Sequence, residues 1–338
     1  MPLKEKNLIR HIRRASQRSA AVTSTGAGVA RTGIGIGIGI KTGIGDDCAV
    51  LSLPPGHELL VTTDFSLENV HFRRDWHAPE LIGWRCLTRG LSDIAAMGGN
   101  PHAAFLSLAL AGDVPQKWVD GFFKGLLDLS KKFNVPLAGG DTAQSPSGIQ
   151  ADIVVVGSIP KGQAVLRSGA KAGDAIYVTG RMGGAAAALE EFMESTKTKP
   201  SSGKNAGYFR PMPRLIAGQE LRQQKVASAM IDLSDGLSTD LEHICEESGV
   251  GAEIEADAIP RAQFGPGNQL VPLDLALNGG DDYELLFTSS KQVASKLGGV
   301  PVTRIGRITK SLGMRLIGAD GKSRKLKAAG WEHFAAKP

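Results

Sequence analysis

Met230-Ile-Asp-Leu-Ser-Asp-Gly-Leu-Ser-Thr-Asp-Leu-Glu-His-Ile-Cys245 reads as a strand, a turn and a helix in immediate succession. Met230–Leu233 is apolar enough for a buried strand. Ser234-Asp235-Gly236 interrupts it with turn-forming residues, and Leu237, Leu241, Ile244 and Cys245 then recur at helical spacing. The pairing of aspartate with glycine or a strand end is repeated along the chain. Leu59–Thr63 runs into Asp64, and Val135–Ala138 runs into Gly139-Gly140-Asp141. Gly45-Asp46-Asp47, Ser92-Asp93 and Gly279-Gly280-Asp281-Asp282 belong to the same set. Glycine lets a backbone approach a phosphate closely, and aspartate oxygens suit Mg²⁺. Any one such junction is explained by a turn alone. Repeated through the chain, they point to one metal–nucleotide site. Junctions at Asp64, Asp141 and Asp232/Asp235 would set carboxylates at strand ends, on the rim of a sheet where ligands bind.

Outward from these junctions, strands and helices alternate irregularly. Trp84, Leu87, Leu91 and Ile94 mark a helix that carries Asp93 next to its apolar face. Phe122–Phe133 and Ala185–Phe192 read as helices. Ile153–Ile159, Ala175–Thr179, Leu285–Thr288, Val302–Ile308 and Met314–Ile317 read as strands. Ala103–Ala111 fits a buried strand or a short helix equally well. The irregular order favours mixed sheets, an α+β fold with two mixed α/β domains, over one doubly wound sheet. Pro160-Lys161-Gly162 is the best boundary. The expected organisation is an N-terminal helix and Gly/Ile-rich lead over 1–40, a first domain over 41–160 and a second over 161–338. Ser195–Gly207, polar and rich in Pro, Ser and Gly, is expected to be a mobile loop.

The chain has 338 residues, long for one core, and a formal charge of +5. Residues 1–18 hold Lys4, Lys6, Arg10, Arg13, Arg14 and Arg18 against Glu5, six minus one, which is the whole excess. The neutral remainder argues against a nucleic-acid partner. The basic start is followed by a Gly/Ala/Thr-rich stretch without an apolar core, so it does not read as a secretion signal. No apolar run approaches a membrane span. Cys48, Cys86 and Cys245 lie far apart, without zinc or redox spacing, which fits a reducing cytoplasm. A Walker loop, a Gly-x-Ser-x-Gly elbow and a His-Glu-x-x-His helix are all absent from the sequence.

Nine short motifs carry a family resemblance. They are Gly43-Ile-Gly-Asp-Asp47, Val61-Thr-Thr-Asp64, Asn69-Val-His71-Phe72, Leu91-Ser-Asp-Ile-Ala-Ala-Met-Gly98, Gly139-Gly-Asp-Thr142, Arg167-Ser-Gly-Ala170, Ile231-Asp-Leu-Ser-Asp-Gly236, Gly279-Gly-Asp-Asp-Tyr-Glu-Leu285 and Gly330-Trp-Glu-His-Phe334. In this order, over about residues 40–334, they resemble the thiamine-monophosphate kinase family of the aminoimidazole ribonucleotide synthetase-like superfamily. The resemblance implies phosphorylation of thiamine monophosphate by ATP, giving thiamine diphosphate. It also implies several Mg²⁺ ions and a homodimer whose N-terminal sheets join across the two-fold axis. By position, Asp46, Thr62, Thr63, Asp64, Asp93, Asp141, Asp232 and Asp235 correspond to metal ligands. Gly140, Asp141, Arg167 and Ser234 correspond to ATP contacts, and His71, Asp281 and Trp331 to thiamine-phosphate contacts. One departure is that the family usually has glutamate where Asp281 stands.

The chemistry agrees. A phosphate monoester with a second pKa of about 6 is largely dianionic near pH 7, so the acceptor needs no general base. The obstacle is repulsion between two polyanions, which metal ions remove while stabilising an in-line transition state. Two alternatives remain at this point. One is another ATP-using enzyme of the superfamily. Of these, selenium chemistry would want a cysteine before Cys48, and hydrogenase maturation a cysteine after Cys245. The other is a non-catalytic regulator that binds nucleotide or divalent metal. A two-metal nuclease is disfavoured by the neutral body.

Overall fold

The computed structural model describes residues 12, 14, 40–44, 48–194, 208–265 and 267–334. Asp46, most of the basic N-terminal segment, the Gly/Ile lead and the 195–207 segment lie outside the described residues. The chain divides into two compact units. The first holds the described residues up to Ile94 together with Asn100–Gly162. The second holds Ala95–Gly99 and the described residues from Gln163 onward.

The first unit opens with a small ladder, β1 (Ile40–Thr42) against β2 (Val50–Leu51). Its main sheet takes β3 (His57–Leu67), β4 (Asn100–Leu110), β5 (Leu137–Gln144) and β6 (Gln150–Pro160) in the spatial order β3-β6-β4-β5. Helix α1 (Pro79–Ala96) connects β3 to β4, and α2 (Gln116–Phe133) connects the parallel pair β4 and β5. The ambiguous Ala103–Ala111 run is therefore a strand, paired on both sides: Phe105 lies opposite Val154 and Gly139. Packing between two strands decides what periodicity left open.

Helix α2 ends at Asn134 in the left-handed conformation, and Val135 N–H closes the turn on Ser130 O at 2.9 Å. Lys131 and Lys132 sit in its last turn, where cations suit the helix dipole. The two helices approach backbone to backbone at Gly83, which faces the Phe122 carbonyl, and Gly125, which faces the Glu80 carbonyl. A Cβ at either position would drive them apart. The core between helices and sheet holds Leu87, Leu91, Phe122, Leu126, Ile153 and Val155, all fully buried.

The second unit is built on one mixed sheet. Its strands are β7 (Ala175–Thr179), β8 (Ala229–Asp232), β9 (Gly251–Glu255), β12 (Leu285–Ser289), β14 (Val300–Thr309), β15 (Gly313–Ile317) and β16 (Ser323–Leu326), ordered β16-β15-β9-β14-β7-β12-β8. The small ladders β10 (Gln263–Phe264) with β11 (Gln269–Leu270), and β13 (Lys296–Leu297) on β14, complete it. Only β9 and β15 pair in parallel; the other main-sheet pairs are antiparallel. Helices α3 (Gly184–Glu194), α4 (Leu215–Gln223), α5 (Leu237–Ser248) and α6 (Leu273–Asn278) accompany this sheet. Ile176, Val178, Ile231, Leu241, Ile244, Ile254 and Leu286 form its core, so the Leu237/Leu241/Ile244/Cys245 stripe is the buried face of α5. Mixed sheets in both units bear out the α+β reading. Among the described residues no helix is long and apolar enough to cross a membrane.

One expectation is corrected. Asp64 and Asp141 do not stand at strand ends. Antiparallel pairing with β6 carries β3 past Asp64 to Leu67, and pairing with β4 carries β5 past Asp141 to Gln144. The half-open sheet tolerates carboxylates in mid-strand because their side chains reach solvent. Asp232 alone of the three is the last residue of its strand.

Candidate active site

In the first unit, strand alternation separates neighbours. Thr62 and Asp64 point towards α1. Thr62 Oγ1 donates to Asp93 Oδ2, and Arg89 Nη1, only 10% exposed, reaches Asp64 Oδ1 at 3.4 Å. Thr63 turns to the opposite face and donates to Asp152 Oδ1 at 2.6 Å. Its side chain is thus not brought to Thr62, Asp64 and Asp93. Arg89 and Asp152 were not singled out from the sequence. Arg89 lies four residues before Asp93 on α1, a spacing that places both on one helix face.

Gly140 and Asp141 lie on β5, the far edge of the same sheet. Two strands intervene, so about 14 Å of sheet separates Asp64 from Asp141, taking three inter-strand spacings. Beside Gly140 and Asp141 opens a cavity of about 510 Å³, bordered by Ile12, Cys48, Phe105, Phe123 and Leu137. That size is ordinary for a small-molecule site. His71 sits in the turn after β3, where Leu67 N–H donates to its Nδ1 at 3.0 Å. In the neutral ring this leaves the proton on Nε2, making Nε2–H a donor.

In the second unit the Ser234-Asp235-Gly236 turn is held from behind. Asp240 Oδ2 accepts N–H bonds from Ser234, Asp235 and Gly236 at 3.1–3.2 Å. Gly236 has φ 118°, and its open side is closed by the Asn278 backbone, so a side chain there has neither conformation nor space. Burial, then the Asp232 and Asp235 carboxylates, push the Asp240 carboxyl well above the usual range. Asp232, just before this turn, and Asp235, within it, are the kind of oxygen donors that suit a hard divalent cation. Asp240 positions the turn, a role its place on the α5 stripe gave no hint of.

The same turn anchors two of the three expected substrate residues, Asp281 and Trp331. Asp281 N–H donates to Ser234 O at 2.8 Å, Tyr283 N–H to Leu233 O at 2.8 Å, and Trp331 N–H to Asp235 O at 2.9 Å. Ser234, Asp235, Asp281 and Trp331 are therefore brought together. Arg167 is not. Its carbonyl accepts from Ser248 Oγ at 3.1 Å, at the far end of α5, about 17 Å of helix from the turn. Among the described residues no three His, Cys, Asp or Glu side chains stand close enough to enclose a metal by themselves. Mg²⁺ usually takes one or two carboxylates and completes its shell with phosphate and water. Thr62/Asp93/Asp64 and Asp232/Asp235 fit that pattern.

The loop carrying Asp281 is under tension. Asp281 (φ 67°) and Tyr283 (φ 51°) are both left-handed without being glycine, at a cost of roughly 1–3 kcal/mol each. Three side-chain anchors hold it. Tyr283 Oη donates to Asp281 Oδ1 at 2.8 Å, Asp282 Oδ2 accepts from Gly183 N–H at 2.7 Å, and Glu284 binds Arg214 and Thr179. Burial, then the neighbouring Glu284, push the Asp282 carboxyl up to about 8. A carboxyl raised on folding lends its full stability below its unfolded value near 3.8 and loses it as pH rises through about 8. Asp282→Asn removes this penalty. The stability of the variant relative to the parent should climb between pH 4 and 8, by at most about 1.4 kcal/mol per pH unit. Denaturant midpoints for both proteins across that range check it, and a constant difference would refute the assignment.

Comparison with known proteins then adds identity to geometry. Family models for the AIR synthase related protein match this chain, the N-terminal domain over residues 45–159 and the C-terminal domain over 171–318. The chain is 38% identical over 309 residues to the thiamine-monophosphate kinase of Salmonella typhimurium, covering 88% of this chain and 93% of the relative. The crystal structure of thiamine-monophosphate kinase from Stenotrophomonas maltophilia K279a superposes with TM-score 0.73 at 33% identity, covering 96% of this chain and 99% of that one. AaThiL complexed with AMPPCP and TMP superposes with TM-score 0.73 at 33% identity, covering 84% and 89%.

Proposed function

Because the chain belongs to the AIR synthase related family, and within it to the thiamine-monophosphate kinases, we propose that it transfers the γ-phosphoryl group of ATP to thiamine monophosphate, yielding thiamine diphosphate and ADP. The observation that carries this reading is its likeness, over most of both chains, to AaThiL complexed with AMPPCP and TMP. AMPPCP is a non-hydrolysable analogue of ATP. Cytoplasmic location and a homodimer are part of the same reading.

The proposed roles are taken from the resemblance, and the geometry supports several of them. The cavity beside Gly140 and Asp141 takes the purine, against Phe105 and Phe123. In the first unit Thr62, Asp64, Asp93 and Asp141, and in the second Asp232 and Asp235, would hold magnesium ions; the proposed set also includes Asp46, outside the described residues, and Thr63, whose side chain lies on the opposite face of β3. The stretch of sheet between Asp64 and Asp141 supports more than one ion. Magnesium, when bound, would neutralise charge between ATP and the acceptor's phosphate monoester and stabilise the in-line transition state. The protein's own part is to orient. Asp240 fixes the Ser234–Gly236 amides and Arg89 fixes Asp64. Ser234 is a proposed ATP contact, while Arg167, at the far end of α5, keeps that role by resemblance alone. His71 Nε2–H offers a donor to the acceptor phosphate. Trp331, half exposed, and Asp281 face the cationic ring by cation–π and charge attraction.

The homodimer reading has support in β3. Leu59, Val61 and Phe65 occupy one face of this edge strand at 54%, 60% and 56% exposure, an apolar strip suited to a second copy of the chain.

Incubation with Mg-ATP and thiamine monophosphate should produce thiamine diphosphate, resolved by chromatography. Unphosphorylated thiamine should be a poor acceptor, because the attacking oxygen belongs to the phosphate. Equal turnover of both acceptors, or none of thiamine monophosphate, would overturn the proposal.

A further inference from the structure

The Gly279–Leu285 loop contains more machinery than the proposed contact at Asp281. Tyr283 is a large side chain only 1% exposed, yet its phenol oxygen is not spent on the core. It donates to Asp281 Oδ1 at 2.8 Å. The two partners bracket Asp282, whose carboxylate is turned to Gly183 N–H, and both carry left-handed backbones. Their N–H groups bond the carbonyls of Leu233 and Ser234, the peptides leading directly into Asp235. The Gly280 backbone packs so closely on the Ser234 carbonyl that a Cβ would come within 2.5 Å of it. The loop main chain is thus fixed against the turn, and the Tyr283 phenol fixes one oxygen of the Asp281 carboxylate. A short carboxylate with one oxygen tied to a rigid phenol presents its charge in one direction.

We propose that Tyr283 is a positioning residue that aims the Asp281 carboxylate at the cationic ring of the acceptor and so sets the affinity for thiamine monophosphate. The proposal rests on the functional reading above, in which Asp281 faces that ring. Tyr283 touches neither ATP nor the reacting phosphates in this account, so its effect is confined to acceptor binding. Charge–charge attraction in a partly buried site depends on the separation of the two groups, and the phenol hydrogen bond holds the carboxylate in place and so holds that separation constant.

The experiment is a double-mutant cycle with Tyr283→Phe and Asp281→Asn. Phenylalanine keeps the buried ring and removes only the hydroxyl. Tyr283→Phe should raise the KM for thiamine monophosphate about tenfold, leaving kcat and the KM for ATP within twofold. In the Asp281→Asn background, the same change should move the acceptor KM less than twofold, because the charge it aims is gone. A merely structural tyrosine would act equally in both backgrounds or lower kcat and melting temperature together; either result overturns the proposal. The parent enzyme separates the two readings. Normal turnover of thiamine monophosphate with an additive cycle refutes the role of Tyr283 alone. No turnover by the parent refutes the functional reading, and this proposal falls with it.

Discussion

Asp235→Asn and Asp64→Asn are each expected to lower turnover at least tenfold at saturating Mg²⁺, with the fold intact. A tenfold loss corresponds to about 1.4 kcal/mol of transition-state stabilisation. Removing one carboxylate charge exceeds that where it holds an ion needed most as charge moves between two phosphates. The folds should survive for separate reasons. Asp235 contributes its main chain to the structure, donating to Asp240 and accepting from Trp331, and asparagine keeps both bonds. Asp64 accepts from Arg89 at 3.4 Å, and an amide oxygen can accept in its place. Steady-state kinetics over a range of Mg²⁺, with circular dichroism and melting curves, make the test. Unchanged turnover in both variants would remove these residues from the metal set.

Val61→Glu combined with Phe65→Glu is expected to yield a monomer. Both residues sit on the exposed apolar face of β3, at the edge of its sheet. In a two-fold interface each substitution appears twice, so four carboxylates would be buried without partners. An uncompensated buried charge costs several kcal/mol, and each 1.4 kcal/mol is tenfold in the dissociation constant. The dissociation constant should therefore rise by at least about a thousandfold, in favour of the monomer. Light scattering at micromolar concentration should give 35.5 kDa for the variant and twice that for the parent. A monomeric parent, or a variant that stays dimeric, would show that this strip serves another purpose.

Much of the site was legible because its chemistry is carried by short motifs. Ser234-Asp235-Gly236 was read as a turn between strand and helix, and it is one. Asp93 was read on a helix beside its apolar face, and α1 places it against Thr62. Trp331 and Asp281, nearly a hundred and about fifty residues from the turn in sequence, were joined to it only by family resemblance; the backbone bonds to Ser234 and Asp235 supply the physical connection. Asp240 and Tyr283 were missed because nothing in their local pattern separates a carboxylate that caps three amides from one that faces water, or a phenol that aims a carboxylate from one that fills a core.

By itself, then, the sequence determined the alternation of strands and helices, the mixed α/β class and the chemical character of the acidic loops. These are local properties, set by periodicity, turn residues and the affinity of carboxylate oxygens for hard cations. Tertiary structure decided the rest. Whether Ala103–Ala111 was a strand depended on partners about 34 and 50 residues away, since hydrogen bonds to β5 and β6 satisfy its backbone. That Asp64 and Asp141 lie within strands followed from the length of their ladders. That Thr63 turns away from Thr62 and Asp64 followed from the two-residue period of a paired strand, which sends neighbouring side chains to opposite faces whatever their chemistry.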